Sequence, residues 1–144
     1  MQAFSIQESD IKDFMGHLFA LDSFNNFQVR GITIHSFTYF EISGEKAEGY
    51  CTWEELSPYV RNILKGRDKP RAMKFIFAHG QIETIHPNAA ALFININYEG
   101  DKITCTTATS QKNFDLNRQV DAEWDTWVKA FFMQKKINIT EGEI

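Results

Sequence analysis

The sequence lacks the short motifs that mark the commonest catalytic and cofactor-binding sites. It has no G-x-x-x-x-G-K-[ST] phosphate-binding loop, no G-x-G-x-x-G dinucleotide fingerprint, no G-x-S-x-G nucleophile elbow and no H-E-x-x-H metal motif. Each of these motifs supplies a backbone geometry or a set of ligands that its chemistry needs. Their absence weakens the case for the familiar enzyme classes. We predict a protein without a cofactor and favour a non-catalytic role.

Cysteine is also scarce, and the two residues present lack metal-type spacing. Cys51 and Cys105 stand far apart, without the close pairs that zinc sites use. Cys105 alternates with Ile103 along a predicted strand, so its thiol should face the core rather than act as a nucleophile. We therefore predict reduced thiols that pack as small hydrophobic groups, and no metal site.

Long hydrophobic runs and a secretory leader pattern are missing as well. Residues 1–9 show no basic region followed by an apolar stretch, and no apolar run approaches the roughly 18 residues that span a bilayer. We expect a cytoplasmic protein with no membrane partner. The net charge of −4 also disfavours a nucleic-acid partner bound over the whole surface, although a local basic patch is compatible with one.

Aromatic residues, by contrast, are abundant in a chain of single-domain length. The 144 residues are 43% hydrophobic and include 13 Phe and 3 Trp. This composition is typical of a globular domain with one ring-rich core. We predict a single domain over residues 1–144, with a short acidic C-terminal tail from about residue 139.

The clearest local pattern is an antiparallel β-hairpin over residues 92–110. Apolar residues and threonines alternate along both of its strands. The alternating residues are Leu92, Ile94, Ile96, Tyr98, Ile103, Cys105, Thr107 and Thr109. Between the strands, Glu99, Gly100 and Asp101 supply a turn whose glycine tolerates a positive φ angle. The pattern predicts a β-sheet with one buried face.

Two segments near the chain ends have the spacing of amphipathic helices. In the first, Asp10 is placed to cap a helix whose apolar stripe runs over residues 11–19, with Gly16 and His17 off that stripe. The second covers residues 119–136, with carboxylates early and lysines late, which suits the helix dipole. We interpret Trp124 and Trp127 as core residues of this helix, and its early carboxylates, which include Asp121 and Asp125, as an exposed first turn.

The middle helix has two candidate starting points. Thr52 and Glu55 form a capping box, whereas Ser57 followed by Pro58 places a proline at a first helical position. We expect a short turn at the first signal and the main helix after the second, ending before Gly66. Its predicted buried stripe consists of Leu56, Tyr59, Val60, Ile63 and Leu64.

Runs of β-branched and aromatic residues predict the remaining strands. They cover residues 3–6, 27–34, 37–43 and 73–77, with a further candidate at 48–51 and a bulge at Gly31. Short turns rather than helical crossovers join sequential strands. We therefore predict an α+β fold, in which a mainly antiparallel sheet of about five to six strands is packed by three helices in a single compact domain.

Several of these segments together resemble a known family. They are Trp53 to Pro58, Ile63 to Gly66, Leu92 to Gly100, Thr104 to Thr107, and Trp124 with Asp125. The chain is similar in them to a family of small bacterial proteins described only as a domain of unknown function. Because these are mainly turn, cap and core residues, the resemblance implies a single compact domain and carries over no active site, substrate or cofactor.

The charge pattern contains a basic segment between residues 61 and 74. It holds six cations and one carboxylate, Asp68. The cations are Arg61, Lys65, Arg67, Lys69, Arg71 and Lys74. We predict a non-catalytic binding module that engages an acidic protein or a phosphate-bearing ligand through this segment. The alternative is that Lys65 and Arg67 complement a helix C-terminus while the other cations are solvated.

Two further functions stay open. The first is a small enzyme with a polar site between the irregular loop that follows His79 and the polar face of the hairpin. Its candidate residues are His79, Glu83, His86, Asn95, Asn97, Thr104 and Thr106. Such a site needs convergent polar groups, whereas surface histidines and a solvated sheet face explain the same residues. The second is a self-associating structural protein, a homo-oligomer with a sheet edge or an aromatic patch as its interface.

Overall fold

A computed structural model describes residues 2–66 and 68–142 of the chain. Arg67 of the basic segment and the last two residues of the predicted tail lie outside the described residues. The strands are β1 (Ala3–Ile6), β2 (Gln28–His35), β3 (Tyr39–Ile42), β4 (Ala72–Ala78), β5 (Ala89–Glu99), β6 (Lys102–Gln111) and β7 (Thr140–Glu141). The α-helices are α1 (Ile11–Phe19), α2 (Trp53–Leu64) and α3 (Gln119–Gln134), and short 3-10 turns lie at Glu8–Asp10 and Ile82–Thr84.

The strands form one antiparallel sheet in the order β3-β2-β4-β5-β6-β1-β7. The predicted α+β class is therefore confirmed, but the described residues contain seven strands rather than five to six. Strand β7 lies within the segment predicted as a tail. Glu141 is held there by the side chains of Lys129, at 2.9 Å, and Gln2, at 2.6 Å. These contacts give the segment partners that the sequence pattern does not display.

The predicted hairpin is confirmed as β5 and β6. Ile96 lies opposite Cys105, and Glu99 lies opposite Lys102, so Gly100 and Asp101 make a two-residue turn. Gly100 has φ = +60°, a left-handed conformation that a glycine adopts without a Cβ clash. The alternating apolar residues of β5 face the core, as the period of two requires.

The bulge in β2 is also confirmed. The register between β2 and β4 shifts between Val29 and Gly31, which leaves Arg30 as the extra residue. The candidate strand at 48–51 is wrong, because only an isolated bridge joins Glu45 to Tyr50 there. The intervening residues are exposed, so no apolar face stabilises a longer pairing.

Helix α1 begins after Asp10, as predicted, but the Asp10 side chain makes no capping hydrogen bond. The placement of His17 off the buried stripe is wrong. Its ring is buried beside Phe14 and Leu18 on the helix, and His17 Nδ1 lies 2.7 Å from the Ser23 hydroxyl. A buried imidazole needs such a hydrogen-bonding partner, and the loop after α1 supplies it.

Helix α2 starts at the capping box, and Pro58 lies inside it rather than at its start. Position 58 is in the second turn, so the missing N–H leaves Glu54 O without the hydrogen bond that the helix would otherwise make there. The predicted stripe is wrong at Tyr59, which is 68% exposed. The fully buried Trp53 takes that role, and its indole N–H donates to Leu18 O at 2.6 Å.

All three helices pack on one face of the sheet. Trp53 of α2 contacts Phe75 of β4, with ring centroids 5.6 Å apart, and Phe132 of α3 contacts Phe4 of β1 at 5.5 Å. Phe19 at the end of α1 also packs against Phe75. The core lies between the two layers. No described helix covers the other sheet face, so the fold has two layers.

None of the helices formed by the described residues is long and apolar enough to cross a membrane.

Candidate functional site

The basic segment does not form one continuous patch among its described residues. The Arg61 guanidinium donates to Phe19 O at 2.8 Å, so it satisfies the end of α1. Lys69 lies 2.7 Å from Asp101, and this hydrogen bond raises its pKa. Lys65 is exposed beyond α2, and Lys74 is exposed on the uncovered sheet face.

Two cations of the segment nevertheless share a cavity. Lys69 and Arg71 line a depression of about 490 Å³ together with Phe37 and Asp68. Phe37 is 69% exposed. An aromatic ring beside two cations suits a phosphate-bearing ligand, although the Asp68 carboxylate partly opposes it.

The seven residues of the alternative polar site are split between different parts of the fold. Asn95 lies opposite Thr106, and Asn97 lies opposite Thr104, on the uncovered face of the sheet. The residues before the hairpin lie elsewhere: Glu83 is exposed, and His86 lies 4.0 Å from Glu123 of α3 on the covered face. The irregular segment between His79 and His86 contains the 3-10 turn at Ile82–Thr84.

The remaining member, His79, lines a cleft of about 580 Å³ on the covered side. Four separate segments form the cleft: residues 23–28, 50–52 and 79–81, and the end of α3 from 127 to 135. Its lining residues are Ser23, Asn26, Phe27, Gln28, Tyr50, Thr52, His79, Gly80, Gln81, Trp127, Phe131 and Lys135. A volume of this size is typical of small-molecule sites.

Backbone pairing fixes the first three segments of the cleft to the sheet. Gln28 and Thr52 form an isolated β-bridge, and the N–H of Trp53 donates to Phe27 O at 2.9 Å. The N–H of His79 donates to Leu92 O at 3.0 Å, directly after β4. Because each segment is tied to regular structure, the cleft is largely pre-formed.

Three aromatic residues build the apolar wall of the cleft. Trp127 stacks on Phe131 one helical turn later, at 5.5 Å, and on Trp124 one turn earlier, at 5.1 Å. Phe27 meets Phe131 edge to face at 5.1 Å. Both faces of the half-buried Trp127 ring are therefore occupied, and a ligand in the cleft meets ring edges rather than an open face.

The His79 ring is oriented by a hydrogen bond from the backbone and by a contact with the Trp127 ring. Its Nδ1 accepts the N–H of Gln81 at 2.9 Å, which places the proton of the neutral ring on Nε2. The ring contacts Trp127 edge to face at 4.8 Å. Burial lowers the pKa of His79 from its ordinary value of 6.5, because desolvation disfavours the imidazolium.

The described lining of the cleft offers hydrogen-bond donors and no negative charge. Among the described residues that line it there is no carboxylate, and Lys135 supplies one ammonium group. None of the ion pairs within residues 2–66 and 68–142 involves Lys135. The indole N–H groups of Trp53 and Trp124 donate to backbone carbonyls, whereas that of Trp127 has no partner in the described part of the chain.

The sequence indicated only part of this cleft. His79 was a candidate, but Trp127 was predicted as core, and Lys135 was predicted only to suit the helix dipole. One signal was present: Trp127 lies at the edge of the apolar stripe of α3, where a ring borders solvent. The partners of that ring come from three distant segments, which helical spacing does not reveal.

Two other expectations about reactive groups have clear outcomes. The prediction that Asp121 and Asp125 form a simple exposed turn is wrong, because their carboxylates accept hydrogen bonds from the hydroxyls of Thr109 and Thr107. The bond from Thr109 is the main reason that the pKa of Asp121 is lowered. Cys105 faces the core, as predicted, and burial raises its pKa to about 12.

Metal ligands do not converge in the described residues: no group of three or more His, Cys, Asp or Glu side chains is placed to hold an ion.

The edge of the sheet bears on the prediction of self-association. The outer strand β3 is four residues long, and Tyr39 at its start is 48% exposed. Self-association through a sheet edge or an aromatic patch stays a prediction.

The three helices of this two-layer α+β fold cover one face of the sheet, and the cleft lies on that side. The chain belongs to a family of unknown function, DUF5721, whose model matches residues 17–140. No curated protein and no solved structure matches the chain. The resemblance to a domain of unknown function is confirmed, while a bacterial origin stays a prediction.

Proposed function

We propose that this protein is a cytoplasmic, non-catalytic module that binds a small molecule in the cleft between His79 and the end of α3. The observation that carries the proposal is a cleft of about 580 Å³ whose lining combines the rings of Phe27, Trp127 and Phe131 with the polar side chains of His79 and Lys135. Apolar walls with a few polar groups are typical of a ligand site. The cleft thus replaces the basic segment as the favoured binding site.

The test fills the cleft at Gly80. This glycine has an ordinary φ, and an added Cβ would lie 3.7 Å from Gln28 Nε2, an ordinary contact. Gly80→Phe therefore adds a ring to the cleft without forcing the backbone. The matched control is Gly16→Phe on α1, where a Cβ meets nothing within 4 Å. Circular dichroism and a Gly80→Ala variant establish that the fold is retained.

Binding is measured by ligand-observed NMR with phenylacetate, phenyl phosphate, phenylacetamide and phenethylamine, which share one ring and differ in charge. We expect at least one probe to bind wild type and Gly16→Phe, and to lose binding to Gly80→Phe. Equal binding to all three proteins would place the site elsewhere, and absence of binding by every probe would contradict a small-aromatic cleft.

The basic segment supports a second candidate function, the binding of a phosphate-bearing ligand or acidic protein surface. The supporting observation is that Lys69 and Arg71 line one cavity beside the exposed Phe37. Tripolyphosphate should bind wild type, weaken as salt rises from about 50 to about 200 mM, and fail to bind the Lys69→Glu, Arg71→Glu protein. A double variant that binds with wild-type affinity and salt dependence would eliminate this candidate.

A further inference from the structure

We infer that the ligand of the cleft is a small organic anion with a flat apolar body, such as an aromatic carboxylate or phosphate. This inference rests on the proposed function and adds the chemical class of the ligand. It follows from three properties of the lining residues: the aromatic edges, the N–H donors and the charge.

The aromatic edges select for electron-rich groups. Stacking on Trp124 and Phe131 occupies both faces of Trp127, so its edge lines the cleft. The edge of an aromatic ring carries the positive part of its quadrupole, whereas the face carries the negative part. A cationic ligand prefers open faces, and none is offered by Trp127. The apolar body of the ligand fits beside Phe27 and Phe131, which complete the wall.

Two rings that line the cleft, Trp127 and His79, carry an N–H donor, beside hydroxyl and amide groups that both donate and accept. Trp127 Nε1 is a donor only, and His79 carries its proton on Nε2 because its Nδ1 accepts the Gln81 N–H. A carboxylate or phosphate oxygen accepts from both kinds of N–H, and such charge-assisted bonds are shorter and stronger than neutral ones. A cationic head group has no acceptor of matching charge here.

The cleft and the whole chain differ in charge. The whole sequence carries a net charge of −4, with 19 acidic residues, yet the described lining residues include no carboxylate. Lys135 lies one residue beyond α3, is partly buried and lines the cleft, so it brings a positive charge to the cleft. Because the described lining residues carry no negative charge, an anion meets less repulsion in this cleft than elsewhere on an acidic protein.

The experiment compares Lys135→Gln with Lys136→Gln. Both variants remove one positive charge, but Lys136 is exposed and does not line the cleft. In wild type, we expect phenylacetate or phenyl phosphate to bind at least about tenfold more tightly than phenylacetamide and phenethylamine. Lys135→Gln should remove that preference for anions, while Lys136→Gln should preserve it.

The four probes separate failure of the inference from failure of the proposed function. Neutral or cationic probes that bind wild type as tightly as the anions, and lose binding to Gly80→Phe, would overturn the anionic class while keeping the site. Equal loss of anion binding in both lysine variants would also overturn it, because the effect would then come from net charge. If phenylacetate alone binds, the head group is a carboxylate; if phenyl phosphate alone binds, it is a phosphate, and either result supports the inference.

Discussion

At the scale of single residues, the burial of some side chains differs from what the helical pattern predicts. Trp53 and Tyr59 are both large residues on α2, yet the first is fully buried and the second is 68% exposed. Their difference follows from the helical wheel once Trp53 is included in the helix, because Trp53 and Val60 then define the buried side and Tyr59 lies off it. His17 is different: its burial depends on the Ser23 hydroxyl, a partner that helical spacing does not predict.

His79 should give the protein a measurable dependence on pH. Burial lowers its pKa below 6.5, so in the interval between the two values the unfolded chain binds more protons than the native protein. Stability therefore falls as the pH drops through 6.5 and below. We expect His79→Gln, which has no proton to gain, to lose less stability than wild type between about pH 7.5 and about pH 5.

Chemical unfolding at a series of pH values measures this difference. The free energy of unfolding of wild type minus that of the variant should decrease as the pH falls, because the wild-type penalty grows while that of the variant does not. Parallel pH profiles for both proteins would contradict the assignment of a lowered pKa to His79.

At the scale of elements, the sequence predicts best where neighbouring residues determine the structure. The β5–β6 hairpin was predicted because its alternation and its glycine turn are both local. Strand β7 was missed since two residues carry no pattern, and Glu141 finds its partners in Lys129 of α3 and in Gln2, which lies far away in the chain. The start of α2 was ambiguous because Pro58 gave a second local signal that tertiary packing overrode.

The capping box of α2 gives a direct stability prediction. The Thr52 hydroxyl accepts the N–H of Glu55 at 3.3 Å, and the Glu55 carboxylate accepts the N–H of Thr52 at 2.9 Å. Thr52→Ala should lower the free energy of unfolding by about 1 kcal/mol. The backbone hydrogen bond from Thr52 lowers the pKa of Glu55, so its stabilising contribution should be lost as the carboxylate is protonated in acid.

Urea unfolding measures the effect, with Thr126→Ala as the matched control. The Thr126 hydroxyl donates within α3 to Ala122 O, and its side chain is exposed. This control should change stability by less than about 0.5 kcal/mol. An equal loss in the two variants would show that the capping box does not stabilise α2.

At the scale of the whole molecule, the cleft is formed by segments whose sequences contain no motif. Three helices cover one face of a seven-stranded sheet, and the cleft forms where the end of α3 meets the loops at residues 23–28, 50–52 and 79–81. These segments are up to a hundred residues apart in the chain, so no spacing rule brings them together. The basic segment was conspicuous in the sequence, whereas the fold uses Arg61 and Lys69 partly to satisfy neighbouring groups.

The central claim is that an anion binds beside Trp127, and its indole N–H reports on this directly. The protein has three tryptophans, and Trp53 and Trp124 already donate to Leu18 O and Phe93 O. A ¹⁵N-labelled sample is titrated with phenylacetate, and the Trp127 indole signal is assigned by its loss in Trp127→Phe. We predict a saturable shift of that signal that is larger than the shifts of the other two. A saturable shift elsewhere in the spectrum that leaves the Trp127 signal in place would contradict the claim.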